Sequence, residues 1–89
     1  MKKYIIEEVR DYNGLISLHF DGSQLGINLI EGHPYLNNNA VKNLKKGDIM
    51  LIEGKKGDSL EDLCSNGIKT MLVKEGESIT TLYHFKAPM

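Results

Sequence analysis

The sequence predicts a small, mainly β domain: a β-barrel with short helices, its elements in the order βββ-α-β-(α)-ββ. Three observations carry that expectation. Asn13-Gly14 stands between two β-prone runs and is a strong hairpin signal, because both residues tolerate positive φ. Ile16, Leu18 and Phe20 alternate with Ser17, His19 and Asp21, the period of two that marks a strand with one buried face. Ile49-Met50-Leu51-Ile52 is apolar at every position, as a strand is when it lies at the centre of a sheet or under a cover.

Taken in order, "KYIIEEVRDY" is β-rich, but its alternation breaks around Glu7-Glu8, where a bulge would restore the register. The strand after Asn13-Gly14 ends at the turn Asp21-Gly22-Ser23. "QLGINLIE" then forms a third strand with Leu25, Ile27 and Leu29 on one face. Gly26 inside it has no side chain to pack and marks a bend or the close approach of another backbone. "EGHPYLNNN" is made of turn formers. Leu36, Ala40, Val41 and Leu44 follow at helical spacing, with Asn37 or Asn38 as N-cap. Lys45 and Lys46 suit the last helical turn, Gly47 a left-handed residue after it, and Asp48 a bond to nearby backbone N–H groups. On this reading "LKKGD" is a joint between helix and strand. Ser59 and Asp62 have capping-box spacing for a second short helix, stopped at Asn66-Gly67. Residues 68–74 and 78–86 then read as a terminal hairpin turning at "EGE".

Composition bounds the function classes. Eighty-nine residues with 40% apolar and 26% charged describe one ordinary globular domain, residues 1–89. No apolar run approaches the ~20 residues of a membrane-spanning helix, and the N-terminus has no signal-peptide core. One cysteine, Cys64, excludes an intrachain disulfide, and the expectation is a cytoplasmic protein. The net charge of −1 argues against a dedicated duplex-binding protein. His19, His33 and His84 share no ligand spacing, so no metal is expected, and Cys64 reads as a small buried hydrophobe. "GKKG" lacks the spacing of a phosphate loop, and no nucleophile or dinucleotide signature is present; the chain reads as non-enzymatic and without cofactor.

Val9-Arg10-Asp11, Phe20-Asp21-Gly22-Ser23, Leu44-Lys45-Lys46-Gly47-Asp48 and the strand Ile49–Gly54 together resemble the OB-fold, in particular the nucleic-acid-binding modules of the tRNA-anticodon-binding type, over about residues 4–54. The same pattern also fits an SH3-like barrel, and hairpin–helix–hairpin in a β-grasp arrangement is a further alternative. The terminal hairpin departs from the OB pattern, which wants one closing strand. The resemblance implies single-stranded DNA or RNA binding across the second and third strands, by base stacking on exposed rings and a positive groove. Residue by residue, the candidates are His19 and Asn28 on the strands, with Arg10, Tyr12, Tyr35, Lys55 and Lys56 flanking them. Five lysines against two acids between residues 42 and 56 fit a solvated helix face and a soluble loop better than a phosphate-tracking groove. Two other classes compete: an adaptor or self-associating protein using a strand edge or the terminal hairpin, and a binder of a small nucleotide-like ligand.

Overall fold

Strand β1 (Lys2–Tyr12) organises the sheet because it serves two partners in succession. Lys2 to Ile5 pair with strand β4 (Ile49–Gly54), while Ile6 to Tyr12 pair with strand β2 (Leu15–Phe20), both antiparallel. The register shifts between Ile6 and Glu8, so the expected bulge is present and Glu7 is its extra residue. The bulge lets Ile6 and Val9 both face the core while Glu8, Arg10 and Tyr12 face outward. The computed structural model describes residues 2–23, 26–54 and 68–84. The second short helix expected near Ser59, with Cys64, Leu25, Phe85, Lys55 and Lys56, lies outside those residues.

Strand β3 (Gly26–Ile30) extends β2, and the hairpin of β5 (Ile68–Glu75) and β6 (Ser78–His84) extends β4. Among the described residues the result is one antiparallel sheet of six strands in the order β3-β2-β1-β4-β5-β6. Asn13 and Gly14 both have positive φ, 54° and 96°, in the two-residue turn that fixes the β1–β2 register. Gly26 is glycine for lack of room: a Cβ there would lie 2.3 Å from the carbonyl oxygen of Leu18. The close backbone approach expected at this position is therefore real. Strand β4 is central, with Met50 and Ile52 fully buried.

Helix α1 (Asn38–Lys42) is shorter than its sequence pattern. Asn37 is the N-cap, its side-chain oxygen accepting the Ala40 N–H at 3.2 Å. The helix ends at Asn43, so Lys45 and Lys46 do not occupy its last turn and Gly47 does not follow its C-cap. The reason is capture of the chain by β1. Gly47 N–H donates to Ile6 O at 2.8 Å and Ile6 N–H to Asp48 O at 2.9 Å, which turns the backbone into the sheet ladder before another helical turn forms. Residues 45–48 make a separate turn, with Gly47 at φ 97° and the buried Asp48 carboxylate accepting the Lys45 N–H at 3.1 Å. The "LKKGD" stretch is a joint, as expected, but it joins through this turn.

The sheet curls without closing by strand pairing, so the expected barrel is present only as a curled, open sheet. Ile27 and Leu29 of β3 share one buried cluster with Met71, Val73 and Leu82 of β5 and β6, at the other end of the sheet. No ladder joins β3 to β6 among the described residues. Instead the segment before α1 straps across β6. Leu36 bridges Tyr83, Asn37 N–H donates to Leu82 O at 2.7 Å, and His84 N–H donates to Tyr35 O at 3.3 Å. The helix packs on β6 and not across the sheet, and β1–β3 is a three-strand meander, so the hairpin–helix–hairpin arrangement of a β-grasp is not found. Among the described residues no helix is long and apolar enough to cross a membrane.

Candidate binding surfaces

Cross-strand pairing builds the outward face of the meander as a grid of three rows. Tyr12, Leu15 and Ile30 form one row; Arg10, Ser17 and Asn28 the next; Glu8, His19 and Gly26 the third. The alternate residues, Ile16, Leu18, Phe20, Ile27 and Leu29, are buried, which fixes the orientation of the grid toward solvent. Four of the residues singled out from sequence, Arg10, Tyr12, His19 and Asn28, therefore share one face.

The electrostatics of this face differ from the expected positive groove. The Arg10 guanidinium is paired through Nε with the Glu8 carboxylate and donates through Nη1 to the Tyr12 hydroxyl at 3.2 Å. The hydrogen bond from Arg10 holds the Glu8 carboxyl below the ordinary glutamate range, and the bond to Glu8 pushes the Arg10 pKa further up. The one cation of the grid is thus neutralised on the grid itself. Glu8 and Arg10 stand two residues apart on the same strand beyond the bulge, so strand alternation alone puts both side chains on one face. Ser17 Oγ and His19 Nε2 lie 3.5 Å apart on the same face.

Tyr35 is not part of this grid. It belongs to the strap over β6, where its ring lies 5.5 Å from His33 and 6.4 Å from Tyr83, both edge-on. The His33 and Tyr83 centroids are 6.0 Å apart. The third ring, Tyr83, was not foreseen as a site residue; it stands far from His33 in sequence, and only the strap brings them together. His33 and Tyr83 line a cleft of about 380 Å³ where the sheet fails to close. The whole of β3 forms one wall, Ile68, Met71 and Tyr83 the other, and His33 and Leu36 lie between.

A second outward face is different in kind. Ile5, Ile49, Lys74 and Ile79 form a row across β1, β4, β5 and β6, and Lys3, Leu51, Leu72 and Thr81 form the next. Ile5 and Ile79 are 43% and 56% exposed, and Ile49, Leu51 and Leu72 are half-buried on the side of the sheet away from the core. Five apolar side chains on one face, at neighbouring register positions across four strands, exceed the scattered singles of an ordinary surface. Against known protein families, curated proteins and solved structures the chain finds no match, so the reading of its function rests on these surfaces.

Proposed function

We propose that the protein is a non-catalytic binding module, in the manner of an OB-fold module, that holds single-stranded nucleic acid weakly across the meander face. The observation that carries this reading is the convergence of Tyr12, His19, Arg10 and Asn28 on one solvent-facing grid. Tyr12 and His19 offer rings on which bases stack, and stacking tolerates any base because every base has a π-face. Ser17 and Asn28 supply hydrogen-bonding groups between them. Because Glu8 holds Arg10, phosphate attraction from this face is small, which favours weak binding with little sequence preference. Fluorescence anisotropy with labelled single-stranded DNA and RNA at low and moderate salt tests the proposal. Saturable binding at low salt supports it, and absence of binding at low salt overturns it.

A second reading has its own observation. The apolar face of Ile5, Ile49, Leu51, Leu72 and Ile79 suits a protein contact better than a nucleic acid, since it offers neither an aromatic ring nor a guanidinium. On this reading the protein is an adaptor or self-associating unit. Sedimentation across a concentration series tests the self-associating form: a strict monomer at every concentration rules it out.

A further inference from the structure

We infer that the cleft between β3 and the β5–β6 hairpin takes a planar nitrogen heterocycle of the nucleobase class, stacked on the ring of Tyr83. The inference rests on the single-strand reading for its choice of ring, and it goes beyond the meander face to a separate pocket.

The size comes first. A volume of about 380 Å³ falls at the lower end of the ~300–1,000 Å³ typical of small-ligand sites. The cleft is also bounded. Leu36 and Tyr83 separate it from a second depression on the far side of the strap, lined by Pro34, Asn37, Thr81 and His84. A pocket stopped at Leu36 suits one ring better than a continuous added strand.

The walls supply the chemistry. Tyr83 is held by edge-on contact with Tyr35 and by the Leu36 bridge, so its ring is positioned before any ligand arrives. Its centroid is only 6.0 Å from that of His33, and sandwiching a base needs about 7 Å, two layers of ~3.5 Å. A base therefore stacks on one ring, leaving the other to meet its edge. His33 Nδ1 accepts the Tyr35 N–H at 3.1 Å, so in the neutral ring the proton sits on Nε2, which becomes a hydrogen-bond donor. Ile27, Leu29, Ile68 and Met71 provide the apolar remainder. Asn28, the end of the Arg10–Ser17–Asn28 row, belongs to the cleft as well, so a strand crossing the meander reaches the pocket without a break.

The test is an amide NMR titration of the full-length ¹⁵N-labelled protein, with adenosine and cytidine monophosphates in one arm and oligothymidylate in the other. The expected result in both arms is shifts at Ile27, Leu36 and Tyr83, with contacts from base protons to the Tyr83 ring. Tyr83→Phe keeps the affinity within about twofold, and Tyr83→Leu weakens it at least about fivefold, the low end of base–aromatic stacking. The base-to-Tyr83 contacts stand as an independent readout if Tyr83→Leu does not fold. Mononucleotide shifts in the cleft with no oligonucleotide binding support the pocket, name free nucleotide as its ligand and remove the single-strand reading. Oligonucleotide binding confined to the Tyr12–Ile30 face overturns the pocket and leaves that reading in place. No cleft shifts at millimolar mononucleotide overturn the pocket.

Discussion

The two outward faces of this one sheet are built by the same pairing rules from opposite materials. The meander face presents Arg10, Ser17, Asn28, Glu8 and His19, with apolar side chains confined to the Tyr12–Leu15–Ile30 row. The face of β1, β4, β5 and β6 presents Ile5, Ile49, Leu51, Leu72 and Ile79, with Lys3 and Lys74 between them. Strand β1 contributes to both, and the bulge at Glu7 divides the contributions. The comparison shows why a single strand sequence carries two patterns. Beyond the bulge, outward positions are charged or polar up to Tyr12; before it, Ile5 points out among apolar neighbours. A polar face reversibly meets a polar ligand, while an apolar one gains most by being covered.

The largest expected effect removes one face and spares the other. Gly26→Ala places a methyl group 2.3 Å from the Leu18 carbonyl oxygen, a contact that backbone must move to relieve. The expected loss is roughly 2–3 kcal/mol, the upper part of the overpacking range. Amide exchange should accelerate in β2 and β3 first, while β4 and β5 stay protected. Equal acceleration throughout, or an unchanged urea midpoint, would break the division of the sheet into two halves.

The next effect concerns binding. Tyr12→Ala should weaken single-strand binding by on the order of 1–3 kcal/mol, the loss of one stacked base. Leu72→Lys, on the apolar face, should leave it unchanged or slightly improve it by adding a positive charge. The same Leu72→Lys change should abolish any concentration-dependent association. Anisotropy and sedimentation on both variants give four outcomes. A reversed pattern, with Leu72→Lys losing nucleic-acid binding, would assign the ligand to the wrong face here.

How much of this was legible in the sequence follows from the range of each interaction. The Asn13-Gly14 turn, the β2 alternation, the break at Glu7 and the fully apolar β4 are local patterns, and each is found as read. Four site residues on β1, β2 and β3 converge because hairpin registers follow from short turns. The helix end was misread because Leu44 continues the apolar spacing of α1. Its backbone is bent by the hydrogen bond from Gly47 N–H to Ile6 O and the one from Ile6 N–H to Asp48 O, about forty positions apart in sequence. The ring contact of Tyr35 with Tyr83 has no local signal, since Tyr83 arrives from the last hairpin. The pairing of Arg10 does have a local signal, since Glu8 stands two residues before it and alternation puts both on one strand face.

A smaller effect sharpens the joint that links the halves. Gly47 has φ 97°, a conformation that β-branched residues resist, so Gly47→Val should cost roughly 1 kcal/mol or more. A Cβ there meets open space, so the loss is conformational and not steric. Gly47→Asn should therefore recover part of it, because Asn tolerates this region best among residues with a Cβ. An unchanged thermal midpoint in Gly47→Val would sink the turn as described.

The smallest effect lies on the meander face itself. Arg10 donates to Glu8 and holds its carboxyl below the ordinary value of 4.5. A depressed folded pKa means the pair stabilises the fold at pH above the ordinary glutamate value. That contribution fades as pH falls through the lower folded value. Both side chains are about half exposed, so solvent screening keeps the gain slight. The readable quantity is the titration of the Glu8 side-chain carboxyl carbon by NMR. It should move at lower pH than an ordinary glutamate carboxyl does. In Arg10→Gln it should return toward the ordinary range. The same variant removes the guanidinium that Glu8 neutralises and leaves Glu8 as an uncompensated negative charge on the grid. Single-strand binding should then weaken at low salt and recover in the double variant Arg10→Gln/Glu8→Gln. If Arg10→Gln instead leaves both the Glu8 titration and the binding unchanged, the pair exerts no control over this face, and its contrast with the apolar face is one of side-chain polarity alone.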